Sequence, residues 1–386
     1  MRPVIKWPGG KTREVDKIRH LIPKYDRYIE PFFGGGAVFF DLMPEKAVIN
    51  DISSSLMLFY KMIKEQNVEF KDILLKYNTS FQSLINTTDE LYGKVLGIYQ
   101  QEYVEVNLDE DIKENKQANI QELVDLILNA SQLSDDLVLD YSKYRKTILK
   151  NVSDKFRRTS LNNSKRRFSD EDLKENLITG FTSGFYMYFR DVYNDINLSR
   201  ISVSDPYNIA NFYFIREYCY GSMFRYNKNG EFNIPYGGMS YNRKQFIRKI
   251  EALFNKDIKT LFENVSIYNS DFEEFLYNIE PKSNDFMFLD PPYDTDFSDY
   301  EGVSFDLEDQ TRLAKTLKNI PAKFILIIKD TDFIYNLYKD DFLILSFDKN
   351  YTYNVRSRND RKVTHLIITN IDEQDVKELI VSETEI

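Results

Sequence analysis

Short apolar runs that end in glycine or an acid mark both ends of the chain, and longer stretches of helical periodicity fill its middle. Tyr28–Phe33 is an apolar run that stops at Gly34-Gly35-Gly36, and Ala37–Leu42 then reads as the start of a helix. That is a strand, a glycine-rich turn and a helix. Ala47–Ile49 reads as a second strand ending at Asn50-Asp51. Ser53 is placed to cap a helix over Ser55–Lys64, with Leu56, Phe59, Tyr60 and Ile63 on one face. The first 65 residues therefore predict the opening half of a parallel α/β sheet.

From about residue 66 to 255 this alternation is lost. The segment reads as mostly helical, polar and rich in Asn, Lys and Tyr, with helical spacing over Ile112–Leu139 and a polar loop over Asn151–Asp170. The α/β pattern resumes near residue 265, with apolar strands at Val265–Tyr268, Phe286–Leu289, Phe324–Ile328 and Phe342–Phe347. Leu307–Leu317 is an amphipathic helix between two of them. Thr352–Asn354 and Val363–Thr369 predict a closing antiparallel hairpin around the basic loop Arg356–Lys362. The pattern predicts one α/β domain formed by residues 1–65 and 256–386, with a largely helical domain, 66–255, inserted in it.

Composition narrows the chemistry. Of 386 residues, 42 % are apolar and 29 % charged, as in ordinary globular proteins. A single cysteine, Cys219, excludes a disulfide framework and Cys-cluster metal sites, and two histidines, His20 and His365, exclude a His-rich one. No apolar run approaches the roughly 20 residues of a membrane span, and Ile5–Gly10 carries no signal-peptide core. The expectation is a cytoplasmic protein with no membrane and no metal partner.

The net charge of −10 argues at first against nucleic acid, but binding faces are local. Gln101–Asp140 holds eleven Asp or Glu against Lys113 and Lys116, a net of −9. Tyr141–Phe168 holds ten Lys or Arg against Asp154, a net of +9. Either the two blocks are solvated or paired helix faces, or the second, with Arg157, Arg158, Arg166 and Arg167, binds phosphates.

Asp290-Pro291-Pro292-Tyr293 closes the strand Phe286–Leu289, where open α/β sheets bind ligands. A carboxylate, backbone carbonyls freed of neighbouring donors by proline, and an aromatic ring suit a planar heterocycle bearing an amino group. The same tetrapeptide also serves simply as a strand-ending turn. Gly34-Gly35-Gly36 allows a ligand close to the backbone, and Asp51 is placed to hold a ribose diol. The dinucleotide fingerprint fails, since Phe39 stands where its third glycine belongs, so a nucleoside ligand without a pyrophosphate fits better. Gly10-Lys11-Thr12 is no P-loop, because Ile5 stands where the first glycine is required and no strand precedes it. Asn229-Gly230, between Tyr226 and Phe232, signals a hairpin that carries Arg225, a residue suited to a bidentate contact with guanine.

Lys6-Trp7-Pro8-Gly9-Gly10-Lys11, Glu30–Gly36, Asn50-Asp51, the Arg225–Gly238 stretch and Asp290–Tyr293 together resemble the Dam-type, alpha-class DNA adenine N6-methyltransferases. The resemblance covers about 65 residues at the N-terminus and about 190 from near Phe181 onward. Residues from about 80 to 180 lie outside it, as an extra insertion whose role the family does not supply. The resemblance implies a Rossmann-like methyltransferase sheet with an inserted target-recognition domain. It implies S-adenosyl-L-methionine as cofactor and double-stranded DNA as substrate. It also implies a bacterial or phage setting with a cognate restriction endonuclease as a candidate partner. Asp290, Pro291, Pro292 and Tyr293 would be catalytic. Trp7, Lys11, Phe33, Gly34, Gly36 and Asp51 would surround the cofactor, with Asp271 and Phe272 at its adenine. Arg225, with Met223 and Pro235, would read the target, and Gly221-Ser222 departs from the Asn-Gly common in the family. A methyltransferase acting on RNA adenine or protein glutamine, and a catalytically silent DNA-binding relative, are the competing readings.

Overall fold

The computed structural model describes residues 1–10, 15–104, 112–292, 305–350 and 362–375. They divide into two compact units, Met1–Glu65 with Lys256–Ile386, and Gln66–Asn255.

The first unit is built on a seven-stranded sheet: β1 (Arg27–Glu30), β2 (Ala47–Asn50), β3 (Val265–Tyr268), β4 (Asp285–Leu289), β5 (Lys323–Lys329), β6 (Leu343–Asn350) and β7 (Lys362–Thr369). Their order is β3-β2-β1-β4-β5-β7-β6. β1 to β5 are mutually parallel, and β7 runs antiparallel to both β5 and β6. The closing hairpin is therefore β6–β7, with its first arm at Leu343–Asn350; Thr352–Asn354 lies outside the described residues.

Both faces of the sheet are covered. Ile29, Val48, Met287, Leu289, Leu326 and Ile328 pack against the helices Phe272–Ile279, Leu307–Lys318 and Asp332–Tyr338. On the other face aromatic rings dominate: Tyr28 and Phe286 lie 6.1 Å apart, and Tyr60 and Phe262 stack at 5.9 Å. Burial on both faces explains why the strands read as short continuous apolar runs. At the amino ends of β1 and β4, Arg27 pairs with the buried Asp285. The chain leaves β1 toward β2 and β3 but continues from β4 to β5 in the opposite direction. The order thus reverses between β1 and β4, and a ligand crevice belongs at the carboxyl ends of those strands.

The second unit is helical. Its longest helices are Val68–Glu90, Tyr141–Lys165 and Asp170–Asn197, capped by Asn67, Asp140 and Ser169 through side-chain oxygens. Residues 151–165, expected as a polar loop, are helical. Tyr144, Ile148, Val152, Phe156 and Thr159 form a buried stripe, and the polar residues occupy the rest of the circumference. The Ile112 helix ends at Ala130, well before Leu139. Gly184 lets two helices meet closely: a Cβ there would lie 2.8 Å from Ile148 Cα.

Candidate active site

Four loops meet the carboxyl ends of β1 to β4. After β1, the chain turns through Gly34 (φ 49°) and Gly36 (φ 65°), conformations that favour glycine. Side chains would not fit there. A Cβ on Gly34 would lie 2.9 Å from the Trp7 ring, and one on Gly36 would lie 2.6 Å from the Phe33 ring. Phe33 itself is buried against Phe39 and Tyr60, so its side chain props the turn from beneath.

The loop after β2 holds this turn in place. The Gly34 N–H donates to Asp51 Oδ2 at 2.8 Å, and the Ser53 N–H donates to Oδ1 at 3.0 Å. The buried Asn50 ties together three segments. Its Nδ2 donates to the Pro31 and Ser270 carbonyls, and its Oδ1 accepts from the Ser270 N–H.

After β3, Asp271 caps the helix Phe272–Ile279 and accepts from Arg312 through both carboxylate oxygens. Burial alone would raise its carboxyl, but Arg312 and the helix N–H groups prevail and hold it below the usual carboxylate range. Phe272 is buried against Phe32 and Phe305 at 5.5 and 5.8 Å, with the Arg312 guanidinium 4.8 Å from its ring.

Asp290-Pro291-Pro292 follow β4 directly. Asp290 is half-buried and Pro291 buried. Both Asp290 and Pro291 precede a proline and are confined to extended backbone. Tyr293 and Lys11 lie outside the described residues.

The site is electronegative. Glu30, the last residue of β1, is 2 % exposed and accepts from the Tyr28 hydroxyl at 2.7 Å. Burial pushes its carboxyl well up. The Tyr28 bond opposes that rise, and the charges of Asp290 and Asp51 add to it. Burial also raises Asp51, against the pull of its backbone donors. With Glu30 biased to its neutral form, the carboxylates of Asp51 and Asp290 on either side of it favour a cationic or donor-rich ligand and disfavour phosphate.

In the second unit, Arg225, Met223 and Pro235 are exposed on a ribbon whose intervening Phe232, Ile234 and Tyr236 are buried. Tyr226 bridges Phe232, and Gly230 takes φ 74° in the turn. Asn194, from the helix beneath, grips the Phe232 backbone by donating to its carbonyl and accepting from its N–H. Arg157, Arg158, Arg166 and Arg167 are exposed at the end of the Tyr141–Lys165 helix and just beyond it. Part of the basic block pairs with the acidic one, through Arg145 and Asp125, and Arg157 also meets Asp154 at 3.5 Å.

Sequence reasoning did not single out Asn50, Glu30, Arg312 or Gln310 as site residues. Gln310, in the helix Leu307–Lys318, is fully buried and donates to the Pro292 carbonyl at 3.1 Å. Its signal was available: with Leu313, Ala314 and Leu317 it completes an apolar stripe on which it is the only polar member.

The chain matches the model of the D12 class N6 adenine-specific DNA methyltransferase family over residues 7–179 and 161–353. It is 25 % identical over 376 residues to the Type II methyltransferase M.CviBI of Paramecium bursaria Chlorella virus NC1A, covering 96 % of this chain and all of the viral protein. It is 28 % identical over 358 residues to the Type II methyltransferase M.MjaIII of Methanocaldococcus jannaschii, covering 88 % of each. The DNA adenine methylase of Serratia marcescens is 35 % identical over 91 residues, 24 % of this chain and 33 % of that one. Relatives matched nearly end to end include the stretch from about 80 to 180, so that insertion is not peculiar to this chain. The glycine turn and the Asp-Pro-Pro turn flank the point where the strand order reverses, and the family model spans both: the chain belongs to the D12 class of N6 adenine-specific DNA methyltransferases.

Proposed function

We propose that the protein moves the methyl group of S-adenosyl-L-methionine to N6 of an adenine swung out of duplex DNA at a specific sequence. The observation that carries this reading is the placing of Asp290-Pro291-Pro292 beside the Gly34–Gly36 turn and Asp51 at the sheet's reversal point. The donor set suits the cofactor: the carboxylates of Asp51 and Asp290, beside a glycine turn braced by Trp7 and Phe33, attract a sulfonium and an ammonium. The cofactor, when bound, supplies an electrophilic methyl group. Trp7, Lys11, Phe33, Gly34, Gly36 and Asp51 would hold it, with Asp51 at the ribose and Asp271 and Phe272 bounding its adenine.

The chain's own residues then prepare the amine. Adenine's amino lone pair is delocalised into the ring and is a poor nucleophile. Donation of its two N–H groups to the Asp290 carboxylate and the Pro291 carbonyl favours a pyramidal nitrogen. The fixed carboxylate stabilises the positive charge that develops there. Tyr293 would stack on the extruded base and fix its plane. Arg225, Met223 and Pro235 would meet base edges, while Arg157, Arg158, Arg166 and Arg167 would meet phosphates.

Tritium-methyl transfer to duplex DNA, RNA and protein, followed by identification of the methylated base, tests the reading. N6-methyladenine in duplex DNA is the expected product. Label in RNA or protein instead, or in neither, would overturn it. The Type II names of two relatives make a cognate endonuclease the partner to seek by co-purification.

A further inference from the structure

We propose that Gln310 is a positioning residue that sets the rotation of the catalytic turn. The proposal rests on the reading of Asp290–Pro292 as the turn that receives the target amine. Two consecutive prolines have no N–H with which to anchor themselves, so the turn's position depends on bonds to its carbonyls. Gln310 supplies one of them. The acceptor is the Pro292 carbonyl, so the amide nitrogen faces it, at 3.1 Å. Gln310 is 0 % exposed, and its Oε1 has no partner among the described residues. A leucine there would complete the apolar stripe without burying an unpaired acceptor. Among the described residues, this bond is what the buried amide gains.

The helix that carries Gln310 is stiffly held. A capping box joins Asp306 and Asp309 at its start, and Arg312, one turn on, binds Asp271 beyond β3. Asp290 and Pro291 are extended because each precedes a proline, so anchoring the Pro292 carbonyl to this helix limits how far the Pro291 carbonyl can rotate. That fixes the acceptor which shares the amine with Asp290. Freed from Gln310, the turn would rotate and lose near-attack alignment, with no change at the glycine turn or Asp51.

Gln310→Leu and Gln310→Glu test this, beside Asp290→Ala. In Gln310→Leu, the single-turnover methyl-transfer rate should fall about 10- to 100-fold. Cofactor affinity by calorimetry should stay within twofold and the melting temperature should not drop. Gln310→Glu is isosteric, and its protonated acid donates to the Pro292 carbonyl. Its rate should approach wild type at low pH and fall as pH rises, a profile the wild type lacks. A wild-type rate in Gln310→Leu would overturn the proposal. So would a parallel loss of rate, cofactor affinity and stability without the pH-dependent rescue. If Asp290→Ala is inactive while Gln310→Leu is fully active, only the role of Gln310 fails. If Asp290→Ala retains wild-type turnover, the reading of the turn fails with it.

Discussion

Glu30, Asp51 and Asp290 stand at the carboxyl ends of three neighbouring strands, and their surroundings give them different work. Asp51 is bound by backbone N–H groups on both oxygens, so it organises the glycine turn as much as any ligand. Asp51→Ala should weaken cofactor binding more than it slows the chemical step; unchanged affinity by calorimetry would remove Asp51 from the site. Asp290→Ala should lower the transfer rate by about 10²–10³ or more, the scale of losing one preorganised charge-stabilising group, with cofactor affinity within a few fold. Glu30 makes a different prediction. Its buried carboxyl is held above its ordinary value of 4.5. The neutral form is the favoured one, so its contribution is complete below about pH 4.5 and is lost as pH rises through the folded-state value. Glu30→Gln keeps an acceptor for Tyr28 and removes that loss. Its melting temperature should exceed the wild type's at pH 8, with the gap closing toward pH 4.5. A variant that melts lower at pH 8 would show that the ionised acid is stabilising.

Individual elements show where sequence was legible and where it was not. β3 and the helix at Leu307 were readable because a four-residue run is too short for a helix and a 3.6-residue stripe over three turns is too long for a strand. Residues 151–165 were not, because composition masked period: Val152, Phe156 and Thr159 are too few among the Lys, Arg and Asn to stand out. Asn50 escaped notice as a brace because its three bonds reach Pro31 and Ser270, the latter 220 residues away in sequence. The ribbon at Arg225 was legible from Asn229-Gly230, but its rigidity comes from Asn194, on a distant helix. Arg225→Ala should cost about 1–3 kcal/mol of discrimination at one base pair; equal weakening on all sequences would assign Arg225 to a phosphate instead. At Gly184, a Cβ would meet the backbone of the facing helix, which cannot swing aside. Gly184→Ala should destabilise by about 1–3 kcal/mol in denaturant titration, through overpacking.

At the scale of the whole molecule, the net charge of −10 hides a segregation that matters more than the sum. Arg145 spends its charge on Asp125, but Arg157, Arg158, Arg166 and Arg167 are exposed on one continuous stretch. Every phosphate that the protein ceases to neutralise should flatten log affinity against log salt by about 0.9 for duplex DNA. Replacing those four arginines with glutamine should therefore lower the slope by about two to four units, with sequence preference largely kept. A quadruple variant that loses thermal stability but retains the wild-type slope would show that the blocks serve only each other.

β2 ends at Asn50, and the strand it pairs with, β3, begins at Val265, some 215 residues later. The helical unit lies wholly within that interval. At about 5–20 residues per second, a ribosome delivers β3 about 10 to 40 s after β2. During that wait β1 and β2 have unpaired edges and bare apolar faces, while the unit made in the meantime is compact within itself. Synthesis therefore imposes an order: the inserted unit matures first, and the sheet closes only when its last strands emerge. Ribosome-bound chains stalled beyond Asn255 should show amide protection within Gln66–Asn255 and none in β1 or β2.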